Sequence, residues 1–236
     1  MKTLITIMAH AAAEDTFTRH YPFWEAHEKE GAELLFIFPE GQAIRGLGKP
    51  SLEIGKAEHD GIQAMMRFRS VLMHLASLTE IERHVFLEYD SFILGPLPTL
   101  FTSIAGNIFS ENSPAWRGRS FIHPPFMVEA NALRKVVAEF NKLPMGVENG
   151  MWDRALGLAS EMANITRLSW IENGYGYSQN TIHPEHFEAC TQAILNGAHA
   201  LHGVKDEACL KVITEAWKLR KNIDELELAG WKVSRV

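Results

Sequence analysis

Two cysteines in 236 residues, Cys190 and Cys209, leave no disulfide framework to organise this chain. They form no Cys-x-x-Cys pair, so reduced thiols in a cytoplasmic protein are the expectation. No apolar run approaches the ~20 residues of a membrane span. The N-terminal MKTLITIMAHAAAED imitates a signal peptide, with one lysine, an apolar run and small residues. That run is only about seven residues, near the lower limit of a signal core, and a first β-strand is the expectation. Eleven histidines raise the question of a zinc hydrolase, but the sequence has no His-Glu-x-x-His, and His183 with His186 reads as a helix-start pair. Cationic excess is also missing: 23 Lys and Arg face 29 Asp and Glu, a net charge of −6. That balance argues against broad nucleic-acid or membrane-surface binding and leaves a local basic groove open. No repeat, low-complexity tract or linker divides the chain, which reads as one domain over 1–236.

What is present alternates. Thr3 to Met8 and Ala32 to Phe38 are apolar runs of strand length. Between them lies a helical segment carrying His20, Trp24 and His27. After a long loop, roughly Gly41 to Glu58, Asp60 is placed to cap a helix to about Leu78. A third strand is expected around His84 to Leu87, weaker ones at Gly106 to Ser110 and Ser120 to Ile122, and helices near Ala130 to Lys142 and Gly150 to Met162. Ala198 to Leu201 suggests a last short strand, with an amphipathic helix closing the chain. Strand–helix alternation through the first hundred residues predicts an α/β fold with a mostly parallel, Rossmann-like sheet and helices on both faces.

The sharpest local feature is HVFLEYDSFILGPLP, from His84 to Pro98. Glu88 and Asp90 sit two residues apart past a buried strand, with Tyr89 between them. Charges at the edge of a core are costly unless something positive meets them, and strand alternation turns both carboxylates to one side.

Other residues are out of place in the same sense. On a helical wheel Ile62, Met65, Met66, Phe68, Val71, Leu72, Met73, Leu75 and Ala76 form an apolar arc, and Arg69 falls inside it. A guanidinium there needs a partner, either a structural anion or a nucleotide and its metal-binding carboxylates. Arg67 falls on the opposite, solvated side. Near the C-terminus His202-Gly203-Val204-Lys205 supplies a neutral metal ligand, a site of close backbone approach and a cation suited to phosphate. His10 follows the first strand, at the edge where parallel sheets bind ligands. Lys56 and His59 precede the Arg69 helix. Trp152, Trp170, Tyr175 and Tyr177 offer aromatic walls, His123 lies in the rigid FIHPPF loop as a further candidate lining residue, and Asp153 opens a helix.

Read together, these segments resemble metal-dependent GT-A glycosyltransferases. FLEYDSFILGPL is similar to the acidic DxD-type motif and its apolar, Gly-Pro flank, with Glu88 in place of the first aspartate. HGVK resembles, in shortened form, the C-terminal histidine region of glycogenin-like and galactosyltransferase-like families. The resemblance spans about Thr3 to Lys205. It implies a nucleotide-sugar-binding half, about 1–105, and an acceptor-binding half, about 106–236. It implies a nucleoside-diphosphate sugar as donor, UDP-linked first of all, and Mn²⁺ or Mg²⁺ held by Asp90, His202 and Glu88. Lys205 and Arg69 would contact the diphosphate, with Gly203 and Tyr89 beside them, and His10, Lys56 and His59 would serve as base, ribose or phosphate contacts. Asp153 would orient or deprotonate an acceptor hydroxyl, on a saccharide or a modified DNA base, with a retaining outcome slightly favoured. Two relatives in fold stay open: a sugar nucleotidylyltransferase, whose Gly-rich loop is missing from His10 to Asp15, and a non-catalytic nucleotide- or carbohydrate-binding protein.

Overall fold

A computed structural model describes residues 1–9, 13–44, 47–56, 61–95, 97, 100, 107–110, 121–179 and 181–229. The continuous apolar runs become strands covered on both faces, as parallel sheets require. They are β1 (Thr3–Met8), β2 (Glu33–Phe38) and β4 (Arg83–Glu88), with α1 (Glu14–Lys29) and α2 (Gly61–Ser77) between them. The expected long loop contributes a short edge strand, β3 (Ser51–Glu53). Then follow β5 (Ser91–Ile93), β6 (Ile108–Ser110), β7 (Phe126–Glu129), α3 (Ala130–Phe140), α4 (Trp152–Met162), β8 (Arg167–Ser169), β9 (Gly176–Ser178), α5 (Phe187–Leu195), β10 (Ala200–His202) and α6 (Glu207–Leu228).

Seven strands form the main sheet in the order β3-β2-β1-β4-β7-β6-β8. Only β7 runs against the others: it is antiparallel to β4 and to β6, while the remaining neighbours are parallel. β5, β10 and β9 make a second, small sheet. So the short strand expected near Ala198 belongs to this second sheet, and residues 121–122, expected as strand, precede β7 as a loop.

Alternation along the strands fills two cores. Ile5, Ile7, Phe36, Phe38, Val85 and Leu87 face α1, the small sheet, α5 and α6. Leu4, Leu35, Ile37 and Phe86 face α2, α3 and α4. On α2 the buried stripe is Ala64, Met65, Phe68, Val71, Leu72 and Leu75, narrower than the expected arc. Ile62, Met66 and Met73 are exposed. Arg67 is half-buried rather than solvated, and its Nε donates to the Ile54 carbonyl at 2.9 Å. Among the described residues no helix is long and apolar enough to cross a membrane.

His84, inside β4, has both ring nitrogens buried without a hydrogen-bond partner. Burial, helped by Arg134, pushes its imidazole down to about 4. His20 is pushed to the same value, again chiefly by burial. An unfolded histidine takes its proton near 6.5, whereas these two stay neutral until about 4. The unfolded state therefore binds more protons across that window, and stability is lost as pH falls through it, by about 1.4 kcal/mol per pH unit for each group. Urea midpoints at pH 7 and pH 5 should differ accordingly, and His84→Leu should lower the slope; an unchanged slope would refute the assignment.

Candidate metal centre

β4 leaves the main sheet at Glu88, turns at Tyr89 and Asp90, and enters the small sheet as β5. Ser91 ties the turn: its Oγ accepts from the Glu88 N–H at 2.9 Å and donates to the Glu88 carbonyl at 3.1 Å. From Tyr89 onward, successive carbonyls point to opposite edges. Toward β10, the Val204 N–H donates to the Asp90 carbonyl at 3.0 Å. Toward α1, His20 Nδ1 lies 2.8 Å from the Tyr89 carbonyl, Trp24 Nε1 donates to the Ser91 carbonyl at 3.2 Å, and His27 Nε2 lies 2.8 Å from the Ile93 carbonyl. A helix stripe advances about 5.4 Å per turn and alternate strand residues about 6.6 Å, so three rungs can match. Carbonyls only accept, which places the His20 proton on Nδ1.

The antiparallel register of β10 sets His202 opposite Ser91. Its Nε2 consequently lies 3.6 Å from Glu88 Oε2 and 3.6 Å from Asp90 Oδ1, and its Nδ1 is 3.3 Å from Ser178 Oγ. Gly203, at φ +87°, occupies backbone space that other residues enter only with strain. The bend it allows brings Val204 onto the Asp90 carbonyl and Lys205 Nζ to 3.4 Å from Asp90 Oδ2.

Asp90 is 2% exposed. Burial pushes its carboxyl above the usual carboxylate range; His202 opposes that most strongly, Glu88 adds to it, and Lys205 and His123 pull back. Its Oδ1 has no hydrogen-bond partner. Tyr89 is pushed up to about 12 by burial and then by Asp90 and Glu88, so its phenol stays protonated.

His123 completes the cluster: ligand atoms of Glu88, His123 and His202 all lie within 4.8 Å of one another. Two ligands at about 2.1 Å from one divalent ion are at most about 4.2 Å apart. The separations of 3.6 Å and 3.6 Å at His202, and of 4.0 Å between His123 Nε2 and Glu88 Oε2, fall inside that limit. With the orphaned Asp90 Oδ1 beside them, carboxylate and imidazole donors fit a divalent cation.

No family model matches the sequence, and no curated protein sequence matches it. Solved structures match in fold. The galactosyltransferase LgtC, in complex with donor and acceptor sugar analogues, aligns with a TM-score of 0.55 at 9% sequence identity, over 92% of this chain and 95% of that one. The fold is GT-A.

Other expected site residues are placed differently. Arg69 is not brought to the cluster. Its guanidinium donates to the carbonyls of Phe140 at 3.1 Å and Leu143 at 2.7 Å, and lies over the Phe140 ring. A cation suits these carbonyls at the C-terminal end of α3, so it secures helix packing. The main-chain carbonyl of Asp153 accepts from the Ile122 N–H at 3.0 Å. Its carboxylate accepts from the Arg154 N–H at 2.7 Å, a first-turn contact. Lys56 is exposed, beyond the end of β3 at the same sheet edge as Glu88. His10 and His59 lie outside the described residues. Trp170 is 0% exposed, its indole donating to the Pro125 carbonyl at 2.8 Å, so it is no open sugar wall. Tyr175 is exposed and stacks on His199.

Sequence reasoning offered His123 as a lining residue and did not join it to the carboxylates. It falls before an antiparallel strand, so its loop arrives at the edge where the parallel strands end: Phe126 pairs with Phe86. The available signal was a histidine between an apolar run and Pro124-Pro125.

Proposed function

We propose that the protein is a metal-dependent glycosyltransferase moving a sugar from a nucleoside-diphosphate sugar, UDP-linked in the first instance, to a hydroxyl acceptor, a saccharide before a modified DNA base. The observation that carries this proposal is the convergence of Glu88 and Asp90 on His202 Nε2, at 3.6 Å each, where the central strands end. The likeness in fold to a galactosyltransferase supports it. Asp90, His202 and Glu88 would hold Mn²⁺ or Mg²⁺, which when bound neutralises charge building on the departing diphosphate. Lys205, partly exposed beside Asp90, is placed to add a charge-assisted hydrogen bond to a phosphate oxygen. Gly203 gives close backbone approach there. Protonated Tyr89 adds no anion to a site that must receive one.

A thermal-shift screen of UDP-, GDP-, CMP- and TDP-sugars, with and without Mn²⁺, tests the donor. At a hundredfold excess over Kd a ligand adds about 2.7 kcal/mol, or about 5–10 °C for a chain of this size. A rise with one nucleotide sugar only when Mn²⁺ is present is expected, followed by sugar transfer or hydrolysis. No rise with any sugar nucleotide refutes the proposal, and a rise without turnover makes the protein a binding module on the same fold.

A further inference from the structure

We infer that His123 is itself a ligand of this cation site, which is therefore closed by two imidazoles and selects a transition-metal ion of the Mn²⁺ class over Mg²⁺. The inference rests on the cation site proposed above and goes beyond the three ligands that the acidic motif and His202 supply.

The ring is prepared for that role. His123 Nδ1 lies 2.9 Å from the Pro124 carbonyl. A carbonyl can only accept, so in the neutral ring the proton sits on Nδ1 and the lone pair on Nε2. Metal-binding histidines are held in this way, with the second nitrogen donating to a carbonyl or carboxylate behind it. Its Nε2 is the atom that lies 4.0 Å from Glu88 Oε2, too far for a hydrogen bond between the two but suited to two groups flanking one ion. His202 meets the same carboxylate through its own Nε2, with Ser178 Oγ behind its Nδ1. The two rings stand edge to face, centroids 4.8 Å apart at 62°.

The loop that presents His123 is fastened on three sides. Trp152 lies under the ring, 6.1 Å away at 19°, and itself stacks on Phe68. The Ile122 N–H donates to the Asp153 carbonyl, and Trp170 Nε1 donates to the Pro125 carbonyl. Positioning of this kind gives a ligand its affinity, because little order remains to be imposed when the ion arrives. A second imidazole also changes the chemistry of the donor set. Carboxylate and water suit Mg²⁺, Ca²⁺ and Mn²⁺ alike, whereas imidazole favours the transition ions.

The test uses the whole chain, stripped with chelator, and Mn²⁺ or Mg²⁺ alone. Pulsed EPR of the Mn²⁺ complex counts directly bound imidazole nitrogens, and calorimetry gives both affinities. Two nitrogens are expected in the parent protein and one in His123→Ala. Mn²⁺ affinity should fall at least about tenfold in that variant, as for other ligand-shell losses, with a smaller loss for Mg²⁺. His123→Gln is the second variant, and melting in chelator checks that each is folded. One nitrogen in the parent, two remaining in His123→Ala, or unchanged Mn²⁺ affinity overturns the inference. If Asp90→Asn loses Mn²⁺ and His123→Ala does not, only this inference fails; if the parent binds no Mn²⁺, the cation site fails with it.

Discussion

Asp90→Asn is expected to abolish metal-dependent sugar transfer while making the metal-free protein at least as stable as the parent. The two effects have one cause. Asp90 is buried, faces Glu88, and has an Oδ1 that no donor satisfies. Its carboxyl is pushed above its ordinary value, so the folded state holds that proton more tightly than the unfolded state does. Stability therefore falls as pH rises from the ordinary carboxylate range through the raised one, and at neutral pH the bare carboxylate opposes folding. Asparagine removes that charge at nearly constant volume. The same substitution removes a ligand that the cation needs, and several kcal/mol of transition-state stabilisation correspond to a loss of about 10³-fold or more. The measurement pairs melting in chelator and in Mn²⁺ with turnover of the donor identified in the screen. A parent-like rise with Mn²⁺, or parent-like turnover, would remove Asp90 from the site. A marked drop in chelator would show instead that Lys205 and His202 already compensate the charge.

The parts of this molecule that were legible beforehand are those whose signal is local. β1 and β2 are continuous apolar runs, and a strand covered on both faces has to look that way. Glu88 and Asp90 stood out because two carboxylates at a strand end demand a partner, and His202 because a glycine and a lysine follow it. The reason they meet was not local. Strand alternation was the wrong device for Asp90, which sits in a turn, and the real one is the pairing of Ser91 with His202 in a second sheet. Arg69 shows the opposite failure. Its place among the apolar positions of the helix was legible, but its partners are main-chain carbonyls at a helix end, which no side-chain pattern announces. His123 required knowing that β7 is inserted against the direction of its neighbours, and a four-residue strand carries too little pattern to say so. Of the expected aromatic walls Trp170 alone is closed off, because it is spent on fastening the loop of His123.

Trp24→Ala should be the most destabilising single change on α1, by about 3–5 kcal/mol in urea unfolding. The indole is 0% exposed, packs edge-on against Phe17 at 5.1 Å, and is the middle rung between α1 and β5. Trp24→Phe separates bulk from hydrogen bond, because it keeps most of the ring and leaves the Ser91 carbonyl without its donor, at about 1–3 kcal/mol. The rungs on either side, His20 to Tyr89 and His27 to Ile93, hold the same strand edge. They should not act independently, since losing one lets the carbonyls beside it relax. A cycle of Trp24→Phe, His20→Ala and the double variant is expected to give a coupling of about 0.5–3 kcal/mol, as for residues that share one network. Strict additivity would mean that each side chain merely fills its own space. Coupling would mean that α1 holds the Glu88–Asp90 turn as a unit. In that case Mn²⁺ affinity should weaken in the double variant by more than the two single losses combined, although neither residue touches the site.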